Sequence, residues 1–124
     1  MEDHPNAARY RAAAKAMDEG RFDEVMDGVA DDITWWMIGS DQPLKGKQAL
    51  MDSMGGMTEY DIKTDLHDVV GNDEHVIALM NVTATKDGQA FKYRTAEIHH
   101  VKDGKITERW AFSDDTDAIN KFFA

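Results

Sequence analysis

Apolar residues in the first half of the chain recur at helical spacing. Tyr10, Ala13, Ala14 and Met17 fall on one face, framed by Pro5 and Gly20. Proline suits the first turn of a helix and glycine its C-terminal cap, so the pattern predicts a helix between them. Phe22, Val25, Met26 and Val29 keep the rhythm and predict a second helix closed by Asp31-Asp32. The pattern then changes. Ile33 to Ile38 reads as a short, aromatic-rich strand, Gly39 to Gly46 as a loop holding Pro43, and residues 47–54 as a short helix through Ala49, Leu50 and Met54, ended by Gly55-Gly56. Four strand candidates follow, at about 60–70, 75–85, 90–101 and 105–113. Between them lie Gly71-Asn72-Asp73, Asp87-Gly88 and Asp103-Gly104, all turn chemistry. Thr116 to Ala124 closes the chain as a short helix through Ile119, Phe122 and Phe123. Helices first and an antiparallel meander afterwards predict an α+β fold, helices on one face of a curved antiparallel sheet of four to six strands.

Composition narrows the function classes. With 124 residues, 42% of them hydrophobic, the chain has the size and apolar content of a single domain with one core. A formal net charge of −10 repels phosphate backbones, so nucleic acid is not an expected partner. There is no cysteine and hence no disulfide or thiolate chemistry. No apolar run approaches the roughly 20 residues of a membrane span, and the first residues lack a signal peptide's apolar stretch, so no membrane partner and a cytoplasmic location are expected. His67 and His75 have no metal-ligand partner at useful spacing, and no phosphate loop or zinc motif is present, so no metal or cofactor is implied.

Candidate chemistry concentrates in the last hairpin, EIHHVKDGKITERWAFSDD, from Glu97 to Asp115. Asp-Gly between two extended runs is the strongest short-range hairpin signal. One run carries Glu97, His99 and His100, the other Glu108, Arg109 and Trp110. A two-residue turn would set Glu97 opposite Trp110; a longer turn with a glycine bulge would set it opposite Arg109.

Two segments carry a resemblance. VADDITWWMIGSDQPLKGKQAL is similar to the strand, loop and "G-x-x-A-L/I" helix of the NTF2-like, SnoaL-like superfamily, and DGKITERWAFSDD resembles its "dGkI-x-e-x-w-x-x-x-D" ending. The superfamily includes ketosteroid isomerases, limonene-epoxide hydrolases, polyketide cyclases and many members of no known activity. The resemblance implies a cone-shaped α+β fold, a pocket at its mouth and often a homodimer. It places Met37 where the isomerases carry their general-base aspartate, and a thioether cannot abstract a proton. The isomerases' helix-one tyrosine falls at Ala13, with Tyr10 one turn earlier. Glu97 takes the position of their carboxylic acid held neutral in an apolar site. In cyclases and epoxide hydrolases the last strand supplies an acid–base aspartate; here Arg109-Trp110-Ala111 matches that stretch, with Ala111 in the aspartate's place. Same-face pairs across the family's hairpin lie an even number of residues apart, which favours Glu97 beside Arg109.

In that register Trp35, Met37, Met80, Val82, Tyr93, Thr95, Glu97, His99, Arg109, Ala111 and Ser113 point inward. The expected proton-handling residues are Glu97 and His99. The expected substrate-binding residues are Trp35, Met37, Met80, Tyr93, Thr95, Arg109 and Ala111. Contact with Arg109 would keep Glu97 charged and suit a binder or a general base; His99 alone would suit a proton donor. Met51, Met54 and Met57 either cap the pocket or fill core. Asp114 reads as a strand-end cap. Alternation leaves Trp36, Ile98 and Trp110 on the outer face, a candidate homodimer surface. Three readings remain open: an isomerase, cyclase or dehydratase of a small apolar molecule; a non-catalytic pocket for such a molecule; and a dimeric interaction module.

Overall fold

A computed structural model describes residues 3–56 and 60–124. Helix α1 (Pro5–Asp18) begins at Pro5 and runs to a C-cap at Glu19, followed by Gly20 with φ 76°. The His4 ring accepts from the Asn6 backbone N–H at 3.1 Å, satisfying one of the amides a helix start leaves free. Helix α2 (Phe22–Asp27) stops at Gly28, earlier than the apolar rhythm suggests. Val29 therefore belongs to strand β1 (Val29–Trp35), not to the helix, and Asp31-Asp32 lie exposed within that strand. Spacing misleads here because Val29 continues the face of Val25 and Met26 while being the first buried residue of the strand. The strand also ends at Trp35, leaving Trp36 and Met37 in the loop that follows. That loop holds a two-residue strand, β2 (Leu44–Lys45), before α3 (Lys47–Gly56).

Strands β3 (Asp61–Gly71), β4 (His75–Lys86), β5 (Gln89–Lys102) and β6 (Lys105–Ser113) form the meander, and α4 (Thr116–Phe122) follows. The six strands lie in the order β2-β1-β6-β5-β4-β3. The α+β architecture is the expected one, with one departure. The sheet is mixed, because β1 runs parallel to β6 with Trp35 beside Arg109. Both Asp-Gly turns take the two-residue hairpin form, φ 53° and 79° at Asp87-Gly88 and 52° and 78° at Asp103-Gly104. Positive φ at both central residues is the demand that Asp-Gly meets well.

Two apolar clusters hold the helices to the sheet. Ala7 of α1 packs with Val69, Val76, Ala78, Met80 and Val82, and Gly71 lets the helix approach β3, since a Cβ there would sit 3.3 Å from the Ala7 nitrogen. The other cluster is Val29, Ile33 and Leu50, with Met26, Trp35, Met54 and Ile106 against it. Among the described residues no helix is long and apolar enough to cross a membrane.

Ile33 is fully buried between α3 and the sheet. Ile33→Ala is expected to cost about 2–5 kcal/mol, read as a lower urea midpoint with an unchanged slope.

Candidate functional site

The register of the β5–β6 hairpin decides what faces inward. The turn itself is tight, with Lys102 opposite Lys105 and Val101 opposite Ile106. Between His100 and Val101 the register then shifts by one residue, and Thr107 is the extra residue on β6. Beyond that bulge His99 lies opposite Arg109 and Glu97 opposite Ala111. Neither simple turn gives this pairing. It nevertheless puts Glu97 and Arg109 on one face, diagonally related across the strands.

Arg109 makes three contacts there. Its Nε donates to Glu97 Oε1 at 2.8 Å, its Nη1 donates to the Trp36 carbonyl at 2.9 Å, and its guanidinium lies 4.3 Å from the centre of the Trp35 ring. Both Arg109 and Glu97 are buried. A charge pair in that setting is tolerated because it is direct and hydrogen-bonded. The guanidinium and not the imidazole holds Glu97.

His99 is 2% exposed, and its Nε2 lies 3.7 Å from Glu97 Oε1, too far for a hydrogen bond. Among the described residues neither ring nitrogen has a hydrogen-bond partner. Burial lowers its pKa from 6.5 to about 4, Glu97 opposing and Arg109 reinforcing the shift, so the ring is neutral at pH 7. Tyr10 packs on it with ring centres 4.9 Å apart. Burial, with Glu97 adding and Arg109 opposing, pushes the Tyr10 hydroxyl well above its ordinary range, so it too is neutral.

These groups line a cavity of about 300 Å³. Its walls are mostly apolar. The α1 face predicted from spacing, Tyr10, Ala13, Ala14 and Met17, closes one side; Val25, Met26, Leu50 and Met54 close another; Val76, Met80 and Ile106 form the floor from the sheet. Of the residues singled out in the sequence, Trp35, Met80, Glu97, His99 and Arg109 line this cavity. Met37, Tyr93, Thr95 and Ala111 do not. Met37 lies past the end of β1, outside the alternation that was to aim it inward. Ala111 sits opposite Glu97. Thr95 is buried with its hydroxyl unpartnered. Tyr93 stacks on Phe91 at 5.3 Å, meets Phe123 at 6.4 Å and edges a separate open groove. The expected inward set is thus divided, because α4 and the Tyr60, Phe91, Phe122 and Phe123 rings occupy the other half of the concave face.

Sequence reasoning did not single out Val29, Ile106 or Arg9 for the cavity. Arg9 was hidden by its exposure, and Ile106 by the bulge, which lets Ile106 and Arg109 share a face three positions apart. Met54 lines the cavity and Met51 is exposed, while Met57 lies outside the described residues. Asp114 accepts from the Arg94 backbone N–H at 3.0 Å and from Arg94 Nε at 3.1 Å, and these bonds lower its pKa. It fastens the strand end. Among the described residues no group of three or more acidic, histidine or cysteine side chains is placed to hold a metal.

Residues 9–109 match the SnoaL-like domain family. The chain belongs to that family. A search of curated proteins finds no match. Solved structures share the fold. Bal32a, from a soil-derived mobile gene cassette, superposes with a TM-score of 0.85 at 20% identity, covering 96% of each chain. An LEH-like epoxide hydrolase of M. tuberculosis gives 0.78 at 16% identity, covering 95% of this chain and 89% of its own. IdmH of Streptomyces antibioticus, proposed to be a polyketide cyclase, gives 0.76 at 16%, covering 98% and 100%. At these identities the likeness is one of fold.

The titration of His99 has a consequence for stability. Between about pH 6.5 and 4 the unfolded chain binds a proton that the native state does not, so native stability falls as pH drops through that window and levels off below it. In His99→Leu this contribution is expected to vanish, flattening the pH dependence of unfolding by roughly 3 kcal/mol across the window, measured by urea titration at its two ends.

Proposed function

We propose that this SnoaL-like chain, read as a single domain, takes up a small apolar molecule, with Glu97 and His99 handling protons in any turnover. The observation that carries this reading is the buried Glu97–Arg109 pair in the wall of a mostly apolar cavity. Convergent polar groups in an apolar hollow are the usual composition of a small-molecule site. Arg109 occupies Glu97 Oε1 and balances its charge, so Glu97 acts as proton acceptor and not donor. Neutral His99 and neutral Tyr10 serve beside it as donors to a developing oxyanion. Abstraction of a proton beside a carbonyl, and its return elsewhere on the molecule, is the step this arrangement supports. Isomerisation beside a carbonyl, aldol-type cyclisation and loss of a β-hydroxyl as water all pass through the enolate so formed. Steroid isomerisation of the family's kind is not part of the reading, because Met37 replaces its base.

The ketone 2-tetralone is a suitable probe of both claims. Wild-type protein is expected to bind it in calorimetry, and Ala14→Phe, which fills the cavity, to abolish binding while the far-ultraviolet spectrum is unchanged. In deuterated buffer the α-hydrogens of the bound ketone are expected to exchange faster than in buffer alone, with Glu97→Gln slowing that exchange about tenfold or more. Exchange at the buffer rate would leave a binding pocket without catalysis. Failure of the ketone and its hydrocarbon parent tetralin to bind would remove the reading.

The same proposal includes a homodimer formed through the outer face of the sheet. Ile77, Ile98 and Trp110 stand in one cross-strand row, Leu79, Ala96 and Phe112 in the next, and Val70 extends the first. Val70, Ile77, Leu79, Trp110 and Phe112 are each at least 37% exposed. A contiguous apolar surface of that kind favours a partner, and a second copy supplies a self-complementary one. Sedimentation is expected to give twice the 14.0 kDa chain mass, and the double variant Trp110→Glu, Phe112→Glu a monomer.

A further inference from the structure

We infer that His99 is a specificity residue whose two unpartnered ring nitrogens recognise an uncharged oxygen, a hydroxyl or a carbonyl, on a compact apolar ligand. The inference rests on the pocket reading above and names the ligand class it admits.

The first observation is the histidine itself. A side chain 98% out of contact with solvent normally has its polar atoms paired, and leaving them unpaired is costly. Nδ1 and Nε2 both lack partners among the described residues, and both belong to a residue that lines the cavity. Glu97 Oε1 lies 3.7 Å from Nε2 and is already taken by Arg109. The neutral ring offers one donor and one acceptor. A hydroxyl satisfies either nitrogen and a carbonyl satisfies the N–H.

The second observation is charge. The polar end contains one carboxylate and one guanidinium, already paired. A ligand carboxylate would meet Glu97 without a free cation at depth, and a ligand ammonium would meet Arg109. The remaining cationic lining residue among the described ones, Arg9, is exposed, so solvent screens its charge, and it donates to the neutral Asn6 side chain. The deep end therefore admits a neutral polar group.

The third observation is size. A water molecule's share of liquid volume is about 30 Å³, so a cavity of about 300 Å³ suits a ligand of roughly ten to fifteen non-hydrogen atoms. That range covers bicyclic alcohols and ketones.

Calorimetry with tetralin, 2-tetralol, 2-tetralone and tetralin-2-carboxylate tests this on the wild-type chain and on His99→Leu. The alcohol and ketone are expected to lose about tenfold in affinity in His99→Leu, while tetralin binds the two proteins alike. The carboxylate is expected to bind wild type about tenfold or more weakly than the ketone. The variant is expected to fold, since it removes polar atoms that have no partners, and at neutral pH to be at least as stable as wild type. Equal losses for tetralin and ketone, or a carboxylate that binds as tightly as the ketone, overturn the inference and leave the pocket standing. Absence of binding by all four probes overturns the pocket reading and the inference with it. NMR of the wild-type imidazole nitrogens gives the same answer without a variant: 2-tetralone is expected to shift them and tetralin to leave them in place, and unmoved resonances with the bound ketone count against the inference.

Discussion

Arg109 ties three strands at one buried point. Its backbone carbonyl accepts from the Trp36 N–H at 2.9 Å, its Nη1 donates to the Trp36 carbonyl, and its Nε holds Glu97 on β5. The end of β1 is thus bound to β6 through both backbone and side chain, at the place where the sheet's one parallel pairing must hold. A buried ion pair of this kind is weak evidence of net stabilisation, because well-packed apolar residues of similar volume often do as well. Losing one partner alone is far worse, since it strands a charge. The pair is therefore better understood as a constraint on what the cavity can be: Glu97 and Arg109 are fixed together, and everything else in the polar end adjusts to a charge that is already balanced.

That pairing depends on a single irregularity. Strand side chains alternate with a period of two, so a slip of one residue exchanges the two faces. The Asp103-Gly104 turn alone would set Glu97 opposite Trp110. Such a register would turn the carboxylate toward a tryptophan of the outer face. Thr107 absorbs one residue on β6, and from Glu108 onward the faces are corrected. Glu108 then falls outside, within 3.3 Å of Trp36 Nε1, and Arg109 inside.

The element order, both hairpin turns and the α1 face were legible in the sequence because each rests on local chemistry: helical spacing, a proline and a glycine at helix ends, Asp-Gly at positive φ. The grouping of Glu97, His99 and Arg109 was legible once the face was chosen, since alternation and an even separation suffice. What was not legible depends on contacts far apart in sequence. Val29 reads as helix because the same spacing serves a helix face and a strand's first buried residue. The parallel β1–β6 pair joins segments more than seventy residues apart, which no local pattern announces. Tyr93 and Thr95 share the inward face of β5 with Glu97, yet the closing helix α4 assigns that half of the face to an aromatic cluster. Met37 misled because β1 stops one residue before Trp36.

The inner face of β5 carries three polar residues in succession, Thr95, Glu97 and His99, at alternate positions and hence about 7 Å apart along the strand. One guanidinium cannot serve all three at that spacing. Arg109 satisfies the middle one, and the hydroxyl of Thr95 and both nitrogens of His99 are left over. The two leftovers have different surroundings. Beyond Thr95 lies Tyr93, packed among the Phe91 and Phe123 rings, while His99 faces the cavity with Tyr10 beside it. An incoming polar atom therefore meets unmet hydrogen-bonding capacity at the His99 end, next to the carboxylate.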